Sequence, residues 1–159
     1  MVRGAFFVSN DWKKRAVRYT LVMNIFEKII RREIPATIVY EDEDTLAFMD
    51  IGPIIKGHTL VIPKFCYDSI IETPDEVLAK LMSVAKRIAA AQMTALGADG
   101  VNIMQNNGKA AGQEVPHIHL HVIPRFDNDG HHWNWAAKSY DSPEEMEQLA
   151  KKIRKGLAQ

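Results

Sequence analysis

Strand-like and helix-like stretches both recur along these 159 residues, which predicts a single mixed α and β domain. Three observations carry that reading. Short runs of β-branched and aliphatic residues are bounded by turn residues, as strands are. Longer runs repeat apolar residues at helical spacing behind recognisable start signals. One run, His117-Ile118-His119-Leu120-His121-Val122-Ile123-Pro124, alternates imidazoles with aliphatic side chains, the period of a strand with two unlike faces.

Taken in order, Asn24-Ile25-Phe26-Glu27 reads as a helix start, with Asn24 as N-cap and Glu27 closing a capping box. Ile25, Phe26, Ile29 and Ile30 make an apolar stripe suited to core packing. The helix should stop near Glu33, because Pro35 restricts Ile34. Thr37 to Glu41 and Thr45 to Met49 read as strands around the acidic turn Asp42-Glu43-Asp44. Asp50 follows, placed either to cap a turn or to accept two hydrogen bonds from a diol. His58 to Pro63 is the next strand. Thr73-Pro74-Asp75-Glu76 predicts a long helix, with Thr73 as N-cap and Pro74 at its first position. Val77, Leu81, Val84, Ile88 and Ala91 recur at helical spacing, and Gly97 is suited to end it. Val101 to Gln105 is a strand, and the histidine strand should end at Pro124, which has no N–H for a ladder. Ser142-Pro143-Glu144-Glu145 starts a terminal amphipathic helix carrying Met146, Leu149 and Ile153.

Composition excludes several classes. Twenty basic and twenty acidic residues give zero formal net charge, which argues against a general nucleic-acid or anionic-membrane surface. No apolar run approaches the roughly 18 residues of a membrane span. Hydrophobic residues, at 47 %, are ample for a core. The single cysteine, Cys66, cannot form an intrachain disulfide, which fits a reducing cytoplasm.

The face shared by His117, His119 and His121 admits three explanations: a half-exposed strand that happens to carry histidines, a metal site, or acid–base and nucleophilic chemistry on an anionic substrate. The upstream loop Asn106-Asn107-Gly108-Lys109-Ala110-Ala111-Gly112-Gln113 favours the third. Its glycines allow close backbone approach, and its amides donate to anionic oxygens.

These residues resemble the histidine triad family, whose signature is His-x-His-x-His-x-x with apolar x. The likeness continues through Ile25 to Ile30, Ile34-Pro35-Ala36, Leu46 to Ile51, Gly57 to Lys64 and Asn106 to Gln113, in order and spacing, over roughly Asn24 to Arg125. It is nearest to the Hint-like branch of nucleotide hydrolases. The resemblance implies an α+β fold with about five antiparallel strands and two main helices, the sheet continuing across a homodimer. Residues 23–125 would be the domain core, 1–22 an extension unlike the family, and 126–159 an aromatic segment and helix. Met23 would make a natural start.

The resemblance also implies a function: hydrolysis of nucleoside 5′-monophosphate derivatives, phosphoramidates or dinucleoside polyphosphates, through a nucleotidyl-histidine on His119. His117, His121 and a fourth histidine, His58, would assist. Ile25, Phe26, Ile29 and Leu60 would face a purine nucleoside, Asp50 and Ile51 the ribose, and Asn106, Gly112, Gln113 and the Val115 backbone the phosphate. No metal or cofactor is expected. A nucleotide-binding regulator with incidental turnover and a histidine-ligated metalloprotein are the alternatives.

Two departures from the family stand out. Many bacterial members hold a zinc with a Cys-x-x-Cys, where this chain has Asn24 and Glu27; Cys66 stands in place of a histidine ligand, so that zinc is not expected. Hint-like members often have serine where this chain has Glu114, an unfavourable neighbour for phosphate. The aromatic segment around Trp133 and Trp135 reads as dimer packing or a surface loop, while the resemblance implies that Trp133 or Trp135 could touch substrate in a partner subunit's site.

Overall fold

The computed structural model describes residues 23–132 and 137–157. The N-terminal extension and both Trp133 and Trp135 therefore lie outside the described residues. The chain divides after Asp129 into two compact units.

The first unit has the expected mixed architecture. Its five-stranded antiparallel sheet comprises β1 (Ile38–Glu41), β2 (Thr45–Met49), β3 (Thr59–Pro63), β4 (Gly100–Met104) and β5 (Leu120–Arg125) in the order β1-β2-β3-β5-β4. The short helix α1 (Ile25–Ile30) and the long helix α2 (Asp75–Leu96) accompany it. Period-two alternation sorts side chains to the two faces. Ala47, Val61, Ile118, Leu120 and Val122 pack with Leu81, Val84, Ala85 and Ile88 of α2. Leu46, Phe48, Leu60 and Ile62 pack with Phe26 and Ile29 of α1 on the other face. The register Leu60↔His121 puts the histidines on the α1 face.

Local chemistry explains the ends of these elements. Asn24 Oδ1 accepts from the Phe26 and Glu27 amides at 2.9 and 3.0 Å, and Glu27 Oε2 returns a bond to the Asn24 amide at 2.9 Å, completing the expected capping box. The helix then stops at Ile30 rather than near Glu33, since Arg32 takes the left-handed conformation (φ 64°). The Asp42 carboxylate turns the first hairpin by accepting from Asp44 N and Thr45 N at 3.0 and 2.7 Å. Gly97 ends α2 in the left-handed region, as expected.

Two expectations are corrected. Thr73 does not cap α2: Pro74 holds the cap position with extended backbone, and the Thr73 hydroxyl donates instead to the Ser69 carbonyl at 2.7 Å. Nor does Pro124 end its strand. It pairs with Val101 inside β5, whose pairing with β3 has already stopped at Thr59↔Val122. Its missing N–H is therefore not needed on that side. The Pro124 ring instead covers Gly57, where a Cβ would come within 2.8 Å of Pro124 Cγ. Gln92, buried on α2, ties this corner together by donating to the Gly57 and Val122 carbonyls at 3.0 and 3.1 Å.

The second unit contains α3 (Pro143–Leu157). Ser142 Oγ accepts from Glu145 N at 3.2 Å, and the Glu145 carboxylate accepts from Asp141 N at 2.7 Å, consistent with the predicted start. Among the described residues, no helix is long and apolar enough to cross a membrane.

Candidate active site

The triad begins before the ladder does. His117 and His119 precede β5, so sheet pairing does not hold them. Two distant carbonyls do. Ile118 N donates to the Tyr67 carbonyl at 2.7 Å, and His117 Nε2 donates to the Pro63 carbonyl at 2.8 Å. Ile118 between them is fully buried on the α2 side, which commits both imidazoles to the opposite face.

The partners fix each imidazole's tautomer, because carbonyls only accept and amides only donate. His117 carries its proton on Nε2, toward Pro63. His119 carries its proton on Nδ1, which donates to the His117 carbonyl at 2.7 Å and leaves a lone pair on Nε2. His58 Nδ1 accepts from the Ile54 amide at 3.3 Å, so its proton sits on Nε2 and points to His121 Nδ1 at 2.9 Å. His121 therefore keeps its own proton on Nε2. The result is one imidazole with a free nucleophilic nitrogen, set beside another with a free N–H. The two rings meet edge to face, 4.8 Å between centroids.

Burial keeps the group neutral. Desolvation lowers the pKa of His119, against the opposing pull of the His117 carbonyl and Asp50. It lowers that of His58 too, against Asp50. Desolvation, then the neighbouring imidazoles of His119 and His58, push His121 down to about 4. His117 moves in the same direction for the same reason. A neutral imidazole is the form that can attack phosphorus.

The remaining expected residues fall around this group unevenly. Phe26 is buried, with its ring edge to face against His119 at 5.2 Å, His117 at 5.8 Å and Phe48 at 5.6 Å. Ile29 and Leu60 are buried in the same cluster, with Val115 packed against it. Ile25 is half exposed, and Ile51 is 97 % exposed beside Asp50. Asp50 fulfils its turn role through Oδ1, which accepts from Gly52 N at 2.8 Å; Oδ2 lies 3.5 Å from His58 Nδ1.

In the loop, Gln113 is occupied at both ends. Its Oε1 accepts from Gly108 N at 2.7 Å, and its Nε2 donates to the Asp68 and Val115 carbonyls at 2.6 and 3.0 Å. Asn107 anchors the same loop by accepting from Ile70 N at 2.8 Å. The Asn106 amide nitrogen lies against Gly112, where a Cβ would stand 3.6 Å from it. Gly108 and Gly112 both have positive φ, 77° and 85°, which this tight return requires. Glu114 is exposed.

Pro63, Tyr67 and Ile54 hold the histidines through backbone atoms, and sequence reasoning missed all three. A backbone partner from elsewhere in the chain leaves no residue-type signal.

Two metal arrangements can be compared with these contacts. The Asp50, His58 and His121 donor atoms lie within 4.8 Å of one another. Yet His58 Nε2 and His121 Nδ1 are 2.9 Å apart. That is hydrogen-bond spacing, shorter than the roughly 3.3 Å between two nitrogens on a tetrahedral zinc. Asn24 and Cys66, two of the positions at which the family resemblance raised the question of a zinc, contact each other instead. Asn24 Nδ2 donates to Cys66 Sγ at 3.5 Å, Cys66 Sγ donates to the Pro116 carbonyl at 3.7 Å, and burial raises the thiol to about 11. A protonated thiol and a donating amide do not suit zinc.

Comparison with known proteins agrees with the geometry. The HIT domain family matches residues 31–128. A HIT-like protein of Methanocaldococcus jannaschii is 53 % identical over 108 residues, covering 68 % of this chain and 83 % of that protein. The adenosine 5′-monophosphoramidase HNT1 of Saccharomyces cerevisiae is 43 % identical over 118 residues, covering 74 % and 72 %. The crystal structure of a HIT family protein from Bacillus subtilis superposes with a TM-score of 0.77 at 40 % identity, covering 84 % of this chain and 96 % of that one. With the alternating histidines, the sheet and these relatives in accord, this chain belongs to the HIT family.

Proposed function

We propose that this protein is a hydrolase of nucleoside 5′-monophosphate derivatives that works through a nucleotidyl-histidine on His119. The observation that carries this reading is the 2.7 Å bond from His119 Nδ1 to the His117 carbonyl, which leaves Nε2 as a free lone pair. That nitrogen attacks the α-phosphorus, and the bond to the leaving group breaks. His121 Nε2–H donates a hydrogen bond to the departing amine or phosphate, which takes its proton from solvent, and His58 supports His121 from behind through their 2.9 Å contact. The positive charge on the phosphorylated His119 ring is stabilised by the His117 carbonyl at Nδ1. Water then attacks phosphorus, its proton passing to solvent as the phosphorus–nitrogen bond to His119 breaks, which releases the nucleoside monophosphate and restores His119. Splitting one displacement in two lowers each barrier.

His117 supports the reaction through its backbone carbonyl, since its ring is turned to Pro63. In this reading Ile25, Phe26, Ile29 and Leu60 face the base, and Asp50 with Ile51 meets the ribose. Asn106, Gly112, Gln113 and the Val115 backbone shape the phosphate pocket. With its amide engaged, Gln113 acts by holding the loop. The relative named as an adenosine monophosphoramidase favours phosphoramidates of adenosine as substrates. A homodimer in a reducing cytoplasm belongs to the same reading. It is supported by the outer edge of β4, at the end of the sheet order, with Ile103 exposed on it.

The test is His119→Ala. Turnover of an adenosine phosphoramidate is expected to vanish while AMP affinity stays within about tenfold, roughly 1.4 kcal/mol. Substantial remaining turnover would refute the assignment. A metalloprotein is the second reading, favoured by the Asp50, His58 and His121 cluster. Stoichiometric metal in the purified protein, with activity lost to a chelator, would support it over the first.

A further inference from the structure

Gln92 is a buried polar residue of α2, the helix packed on the sheet face away from the histidines. Its partners settle how its amide is turned. Nε2 donates to the Gly57 and Val122 carbonyls at 3.0 and 3.1 Å, and carbonyls only accept. Both N–H bonds are committed, and Oε1 is left buried with no partner among the described residues. An unmatched buried oxygen costs stability. An aliphatic side chain would avoid that cost and would join nothing.

The two donors join the backbone beside two imidazoles. Gly57 immediately precedes His58, and Val122 immediately follows His121. The sheet stops short of this pair. β3 starts at Thr59, and its ladder with β5 runs over Thr59↔Val122, Leu60↔His121 and Val61↔Leu120, so His58 lies outside it. The backbone of His58 is held on its other side: its carbonyl accepts from Asp50 N at 3.0 Å, and its amide donates to the Ile55 carbonyl at 2.9 Å. Those bonds tie His58 to the end of β2 and to its own loop, not to β5. The Gln92 amide carries the tie to β5 past the end of the ladder. Separation matters here because His58 Nε2 and His121 Nδ1 stand 2.9 Å apart, and a hydrogen bond weakens steeply as its geometry opens.

We propose that Gln92 is a positioning residue of the candidate active site. By clamping the Gly57 and Val122 carbonyls from behind the sheet, it sets the contact between His58 and His121 and so keeps the His121 proton on Nε2. It touches neither substrate nor the reacting atoms. The kinetic consequence rests on the hydrolase reading; the contact itself does not.

The test compares Gln92→Met, which keeps the length of the side chain and removes both donors, with Ile88→Val, one turn earlier on the same buried face of α2, which trims the core and leaves the clamp in place. Imidazole nitrogen chemical shifts of the isotope-labelled full chain report the tautomer, because a proton-bearing nitrogen and a lone-pair nitrogen resonate far apart. Wild type and Ile88→Val should hold His121 in one tautomer, and Gln92→Met should draw its two nitrogen signals together by averaging. With an adenosine phosphoramidate, kcat should fall about tenfold in Gln92→Met with KM within about twofold, short of the roughly 10²–10³-fold loss of a whole transition-state donor, and both should stay within about twofold in Ile88→Val. Gln92→Asn, one methylene too short to reach both carbonyls, should average in the same way and serves if Gln92→Met does not fold. A single His121 tautomer in the Gln92 variants, equal averaging in Ile88→Val, or a loss confined to KM would each overturn the proposal. A wild type that holds one tautomer and hydrolyses nothing would refute the hydrolase reading alone, and the shifts would still decide the role of Gln92.

Discussion

Lowering pH should destabilise this protein through its histidines before its carboxylates protonate. In the unfolded chain a histidine titrates near 6.5. In the folded chain, burial lowers His58, His117, His119 and His121, the last to about 4. Between those values the unfolded state binds protons that the folded state refuses. The stabilising contribution is complete above about pH 6.5 and is lost as pH falls toward the folded value. For His121, a shift from 6.5 to about 4 corresponds to at most about 3 kcal/mol, less whatever its partial exposure screens. Against a typical total of 5–15 kcal/mol, such a loss is readily measured. Urea unfolding at steps from pH 7.5 to 4 gives the curve, and His121→Gln isolates one residue. Glutamine keeps a hydrogen-bonding group beside His58 and does not titrate. The wild-type curve should fall more steeply than the variant's between pH 6.5 and 4, and the two should run parallel above pH 7. Parallel curves throughout would show that His121 is not held neutral, and the tautomer chain through His58 would fail with it.

Two further outcomes follow from named contacts. Asp50→Asn should weaken AMP binding roughly tenfold or more, the value of a charge-assisted bond of about 1.5 kcal/mol or above, and leave 2′,3′-dideoxy-AMP unaffected; calorimetry on both nucleotides decides whether the carboxylate meets the ribose. Asn24→Ala removes the acceptor of the Phe26 and Glu27 amides and should cost about 1–2 kcal/mol in urea unfolding, with Asn24→Asp recovering most of it because aspartate caps equally well.

Much of the frame was legible because it rests on local rules. Alternation in the histidine run assigned Ile118, Leu120 and Val122 to the core and the imidazoles to the other face, and the two packed clusters agree. The Asn24–Glu27 capping box was readable because both partners lie within one turn. Failures occurred where a local signal met a distant competitor. Thr73 looked like a cap, but the Ser69 carbonyl takes its hydroxyl. Pro124 looked like a strand end, but whether a missing N–H matters depends on which neighbour runs alongside, which no local pattern encodes. The site was legible in its residue types and not in its wiring. His117 carries the signature's first imidazole, yet its ring is committed to Pro63 and its carbonyl to His119.

The central claim is that His119 Nε2 forms a bond to phosphorus. Acid-free quenching of the full chain during turnover of an adenosine phosphoramidate, followed by peptide mass mapping, measures this directly. An adenylyl group on the peptide that carries His119, lost on acid treatment and absent from His119→Ala, is the predicted result. Turnover with no adduct at any quench time, or an adduct on His121 or His58, would contradict the account.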